Sequence, residues 1–98
     1  MSVYVDPLRV WGGAGAPKCF RFKASCHMYA DTLLELHAMA KRIGLKFEWF
    51  QNKDSLKHYD LTEPKRNTAV KHGAVEVDFN HLINYMRALR DDNDHTIP

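Results

Sequence analysis

Between Asp31 and Gly44 the chain carries its strongest folding instruction, an amphipathic helix with both ends marked. Thr32 and Glu35 have the spacing of a capping box, and Asp31 offers a second cap. Leu33, Leu36, Ala40 and Ile43 recur at helical spacing and form one apolar stripe. Lys41 and Arg42 fall in the last turn, where the helix dipole favours cations. Gly44 then supplies the left-handed residue that ends many helices. Such a stripe must be buried against another layer, and the flanking segments read as strands. Ser2–Asp6 alternates and stops at Pro7, and Phe20 and Phe22 alternate with Arg21 and Lys23 in an extended stretch from Cys19 to Met28. Leu45 to Gln51 places Leu45, Phe47 and Trp49 on one face, and His58–Leu61 and Ala74–Val77 are two more short strands. A second helix is expected from Thr62 to about His72, with Pro64 in its first turn and Gly73 at its end. A third follows Asp78 and carries Phe79, Leu82, Ile83, Met86 and Leu89 on one face.

Strands alternating with helices predict an α/β fold: a single small domain with a mixed sheet of about four to five short strands and about three helices. The short turn Asn52–Ser55 suits an antiparallel hairpin, whereas each strand–helix–strand unit implies a parallel pair. A chain of 98 residues has room for one core. The expected domain spans residues 1–90, with 91–98 a disordered polar tail. Val10 to Lys18 holds three glycines and a proline and reads as a loop, without the endings of a phosphate loop or dinucleotide fingerprint. The net charge of +2 is too small to mark a nucleic-acid binder by itself. No apolar run approaches the ~20 residues of a membrane helix. Cys19 and Cys26 do not make a disulfide framework, and the start lacks the pattern of a secretory signal. The expected setting is therefore a reducing cytoplasm with free thiols.

Chemistry is expected where strands hand over to helices. Cys26-His27-Met28 leads to Asp31 and Thr32; His58-Tyr59-Asp60-Leu61 leads to Thr62. In open α/β sheets ligands bind beyond the carboxyl ends of parallel strands, and helix N-termini there favour anions. Parallel strands would gather His27, Asp31, His58, Asp60 and Thr62 at one edge. Trp49 and Gln51 would join only if their strand ends on the same side. His58 and Asp60, two apart, share one face of a strand. With His27 they could hold a divalent metal and act as catalytic groups, or His58 and Asp60 could be a plain hydrogen-bonded pair. Arg66 sits on the inner face of a first helical turn, since Ala69, Val70 and Gly73 follow it at helical spacing. A cation there needs an anion, either Asp60 in a salt bridge or a bound phosphate or carboxylate. Cys26 neighbours His27 but points to the opposite face of a strand; it is a nucleophile only if its thiol is activated. His37 reads as a boundary residue, His72 as a helix-end cation, and His81 and His95 as exposed.

Three blocks are also familiar. Val3-Tyr4-Val5-Asp6, Cys26-His27-Met28-Tyr29-Ala30-Asp31 leading to Trp49-Phe50-Gln51, and His58-Tyr59-Asp60-Leu61 leading to Gly73-Ala74-Val75-Glu76-Val77 resemble a short bacterial and phage family, domain of unknown function 4031. The resemblance covers most of residues 2–78 and implies a bacterial or phage cytoplasm, with no activity to transfer. Against it, Trp11–Lys18 looks long and the helix after Asp78 looks like an addition.

The function expected from these residues is binding of an anionic, phosphate-bearing, nucleotide-like ligand, with metal-assisted hydrolysis as the enzymatic version. The alternative is a protein-interaction module, in which the polar cluster is structural and the surface is either the last helix, which could pair two copies, or the aromatic-basic strand around Phe20–Lys23. A third is nucleic-acid binding through Lys18, Phe20, Arg21, Phe22 and Lys23, whose bland reading is an edge strand with solvated charges.

Overall fold

The computed structural model describes residues 2–10 and 24–95. Its elements are β1 (Val3–Val5), β2 (Arg9–Val10), β3 (Ala24–Ala30), α1 (Leu33–Arg42), a 3₁₀ turn (Phe47–Trp49), β4 (Gln51–Asn52), β5 (Lys57–Thr62), α2 (Glu63–Lys71), β6 (Val75–Glu76) and α3 (Phe79–His95). The strands form a mixed sheet in the order β4-β5-β3-β1-β6. Among the described residues only β1 and β6 pair in parallel; β3 runs antiparallel to β1, β2 and β5, and β4 antiparallel to β5. The expected fold class is the observed one.

β1 and β2 lie along the same side of β3, broken at Asp6, Pro7 and Leu8. The register slips by one residue between Val5↔Met28 and Arg9↔Ser25. Pro7, which has no N–H to give a ladder, sits in that bulge.

Strand alternation divides the side chains between two layers. Val3, Val5, Cys26, Met28, Ala30, Tyr59 and Leu61 face Leu36, Met39, Ala40 and Ile43 around α1 and Ala69 of α2 in the larger core. On the other face Tyr29 and Leu56 meet Leu82 of α3, with Tyr85 and Met86 packed alongside. Leu82 of α3 is thus packed on the domain's own sheet, while Phe79 and Ile83 of the same apolar stripe are exposed. Local signals explain the helix ends. Thr32 Oγ1 accepts from the Glu35 backbone N–H at 3.2 Å, as the capping box requires. Asp78 accepts from the His81 N–H and opens α3. Gly73, at φ +105°, takes the conformation that ends α2.

Two segments differ from expectation. Leu45 to Gln51 is not one strand: a 3₁₀ turn occupies Phe47–Trp49, and pairing begins only at Gln51. Phe47 and Trp49 are exposed, so the alternation there marks no buried face. Helix α3 runs on through residues 91–95, where a polar tail was expected. The Trp11–Lys18 loop, Cys19 and the aromatic-basic stretch Phe20–Lys23 lie outside the described residues.

The two leucines of α1 test this packing. Leu36 is 1% exposed and Leu34 82%. Leu36→Ala should lower the unfolding free energy by about 2–5 kcal/mol, and Leu34→Ala by less than about 0.5 kcal/mol, in urea denaturation. Equal losses would contradict the assigned face.

Candidate metal centre

The site is built on the face that α3 only partly covers. His27 and Asp60 are direct partners in the β3–β5 register. His58 lies two residues before Asp60, so all three side chains rise from one face. Each offers one ligand atom, and these atoms lie within 4.8 Å of one another. The two imidazole rings meet edge-on, with centroids 4.8 Å apart.

Both rings are held from behind. The His58 Nδ1 lies 2.9 Å from the Leu56 carbonyl oxygen. A carbonyl can only accept, so Nδ1 carries a proton and Nε2 is the ring atom left for another partner. That atom faces Asp60 Oδ1 at 3.3 Å. The His27 Nδ1 lies 2.8 Å from Asp6 Oδ2, and the His27 backbone N–H donates to the other oxygen, Oδ1. Asp6 is 1% exposed. A carboxylate clamped on Nδ1 likewise turns the His27 Nε2 outward, the arrangement that orients histidines in metal sites.

Electrostatics follow from these contacts. The Asp6 hydrogen bond raises the His27 pKa above its ordinary value, against the opposing effect of burial. The hydrogen bond from His58 holds the Asp60 carboxyl below the usual range, with smaller help from the charges of His58, His27 and Lys53. Burial pushes the Cys26 thiol up to about 12. Cys26 is therefore a protonated core thiol, not a nucleophile, and its side chain belongs to the opposite sheet face.

Of the remaining candidates only Gln51 stays beside the group. The gathering at one edge presupposed parallel strands; because β3 is antiparallel to β5, its far end carries Asp31 away from Thr62. Asp31 accepts there from the Ser2 N–H and the Tyr4 hydroxyl. Thr62 opens α2 without a side-chain capping bond. Trp49 lies in the exposed 3₁₀ turn beneath Lys46. Gln51 stands opposite His58 in the β4–β5 register. Arg66 does have the anion its position demands, but it is Glu76 at 2.8 Å, not Asp60. Its Nε also donates to the Asp6 carbonyl oxygen at 3.0 Å. His81 is half-buried rather than exposed, with Nδ1 2.8 Å from the Tyr29 hydroxyl. His37 is the boundary residue expected, paired with the Tyr59 hydroxyl. Asp6 was missed as a site residue. Its one signal was an acid directly before a proline at a strand end.

The group opens into a cleft of about 500 Å³, whose lining includes Arg9, Lys53, Phe79, Leu82 and Met86. Fold and site together define a small three-layer α/β domain with a group of two histidines and one carboxylate that could hold a metal ion. The sequence model of the family described as "Protein of unknown function (DUF4031)" matches residues 3–89, and the chain belongs to that family. The match takes in most of α3, so this helix is part of the family's domain and not an addition to it. No curated protein and no solved structure matches significantly. Among the described residues no helix is long and apolar enough to cross a membrane.

The pH dependence of stability should carry both shifts. The His27–Asp6 contribution is full below the ordinary histidine value of about 6.5. It is lost as pH rises through the raised value. The Asp60 contribution is full above the ordinary carboxylate range and is lost as pH falls through the lowered value. In urea titrations, wild type minus His27→Gln should therefore shrink from neutral pH upward; a gap independent of pH would count against the Asp6 contact.

Proposed function

We propose that this domain binds a divalent transition metal through His27 Nε2, His58 Nε2 and Asp60. We further propose that the ion's open positions hold a phosphate-bearing ligand for hydrolysis. The observation that carries the reading is the His58–Asp60 contact. With Nδ1 committed to a carbonyl, His58 turns Nε2 toward a carboxylate oxygen 3.3 Å away. A proton on Nε2 or a metal ion fits between these two atoms, and the metal reading takes the second. That one spacing is close to the ~3.3–3.4 Å separating ligand atoms in a tetrahedral shell with bonds of ~2.0–2.1 Å, whereas the group as a whole spreads to 4.8 Å and would draw in around an ion. Imidazole and carboxylate together favour zinc and its transition-metal neighbours over magnesium or calcium. Three protein ligands, with positions left for water and substrate, is the usual catalytic arrangement.

A metal ion bound here supplies Lewis acidity and a water ionisable near neutral pH. In hydrolysis the water oxygen forms the new bond to phosphorus and the ester P–O bond breaks. One proton ends on the leaving alcohol and the other on the phosphate. Asp6 acts as a positioning residue, holding the ring of His27.

A second reading, docking of another protein, is favoured by the exposure of Leu34 (82%) and Phe47 (71%). Light scattering of wild type and Leu34→Glu at rising concentration tests self-association; a monomer throughout would count against a homodimer.

Calorimetric titration of metal-free protein with zinc, cobalt or manganese tests the primary reading. Saturation at ~100 times Kd should add about 2.7 kcal/mol of stability, and cobalt should give a visible low-symmetry spectrum. His58→Ala and Asp60→Ala should abolish both effects. Asp6→Asn should weaken binding by about 10–100-fold, as for other groups behind a ligand. Wild-type protein that takes up none of these ions would overturn the reading.

A further inference from the structure

Two cations stand at the cleft beside the metal-binding group, and neither belongs to it. Arg9 comes from β2, which pairs with the start of β3 through Arg9↔Ser25, two residues before His27. Lys53 comes from the turn that joins β4 to β5, across the cleft on the His58 side. Both side chains are exposed, and among the described residues neither has a carboxylate within ion-pair distance. The contrast with Arg66, whose charge is spent on Glu76, is direct. The Arg9 guanidinium lies 5.8 Å from the centre of the Phe79 ring, which fixes its approach to the cleft wall. That wall is apolar: Phe79 is 40% exposed, and Leu82 and Met86 line the cleft beside it. The arrangement is thus graded, from ligand atoms through flanking cations to an apolar shelf.

We propose that Arg9 and Lys53 form an anion subsite beside the metal-binding group, fitted to a phosphate monoester whose organic portion is flat and apolar and rests on Phe79, Leu82 and Met86. The proposal rests on the metal reading above and adds the class of ligand. A phosphate monoester has three terminal oxygens. One can take an open metal position while the others accept from Arg9 and Lys53 on either side, in charge-assisted hydrogen bonds. The organic portion then lies away from the metal, where α3 presents ring and thioether surface. An aryl or nucleoside monophosphate fits this sequence of surfaces; a free sugar phosphate leaves the shelf unused.

The test separates the two ideas by titrating metal first and phosphate second. Zinc is titrated into metal-free wild type, Arg9→Gln, Lys53→Gln and Phe79→Ala. All four should bind it within about threefold of one another, because none is a ligand. Zinc-loaded proteins are then titrated with inorganic phosphate and with phenyl phosphate. Wild type should bind phenyl phosphate more tightly than phosphate, and Phe79→Ala should remove that preference. Arg9→Gln and Lys53→Gln should each weaken both probes by at least about tenfold, the loss of one charge-assisted hydrogen bond. Failure of wild type to bind zinc overturns the metal reading. Normal zinc binding with phosphate affinity unchanged in both cation variants overturns the anion subsite alone. Loss of zinc binding in Arg9→Gln or Lys53→Gln would also overturn it, since these residues would then be holding the metal group and not the ligand.

Discussion

The carboxylate of Asp6 is the contact on which this site depends. It is buried at the end of β1, where the ladder to β3 would ordinarily continue backbone to backbone. Instead the Asp6 N–H donates to the His27 carbonyl at 3.2 Å, and the His27 N–H donates to the Asp6 side chain at 2.6 Å. The side chain takes the place of the acceptor that the bulge at Pro7 removes. One oxygen completes the sheet; the other fixes the imidazole. The Asp6 carbonyl meanwhile accepts from Arg66, tying α2 to the same point. Backbone continuity, helix docking and histidine orientation thus pass through one residue. A buried carboxylate is costly unless its lone pairs are used, and here both oxygens are.

Register also decides which chemistry reaches the cleft. Side chains on a strand alternate, so a slip of one residue exchanges the two faces. In the register observed, His27 rises into the cleft and Cys26 sinks between β1, β5 and α2. The opposite register would offer a thiol and bury an imidazole. The position of Pro7 keeps Val5 opposite Met28 while letting Arg9 meet Ser25. The strand start thereby brings a cation to the mouth of the cleft without disturbing the ligands behind it.

The sequence was informative wherever a rule is local. Thr32 with Glu35 marks the start of α1 because capping needs only neighbouring residues. His58 and Asp60 share a face because two residues in a strand must. The Arg66 position correctly demands an anion, because a helix face and its burial are periodic. What failed was long-range. Glu76, not Asp60, answers Arg66, and nothing local distinguishes two acids on different strands. His27 does meet His58 and Asp60, but through antiparallel pairing and not the parallel arrangement that the alternation of strands and helices suggested. The same reversal explains why Asp31 is far away: a strand that brings its beginning to a partner's end takes its own end elsewhere.

The dispersal of Asp31 and Arg66 sharpens the case for what remains. Arg66 was a candidate because its charge needed a partner and Asp31 because it opens a helix, and both have partners within the fold. Asp6 is likewise consumed. Subtracting these leaves a group whose polar atoms are not exhausted by each other: two Nε2 atoms turned outward by contacts at their Nδ1 atoms, and a carboxylate beside them that is more than half exposed. A purely structural histidine–aspartate pair has no need of a second oriented imidazole at its edge, or of an acid buried behind that imidazole to hold it. The cost of burying Asp6 is what makes the orientation of His27 specific. An oriented donor set, maintained at that cost and open to a cleft, is what a ligand-binding centre requires.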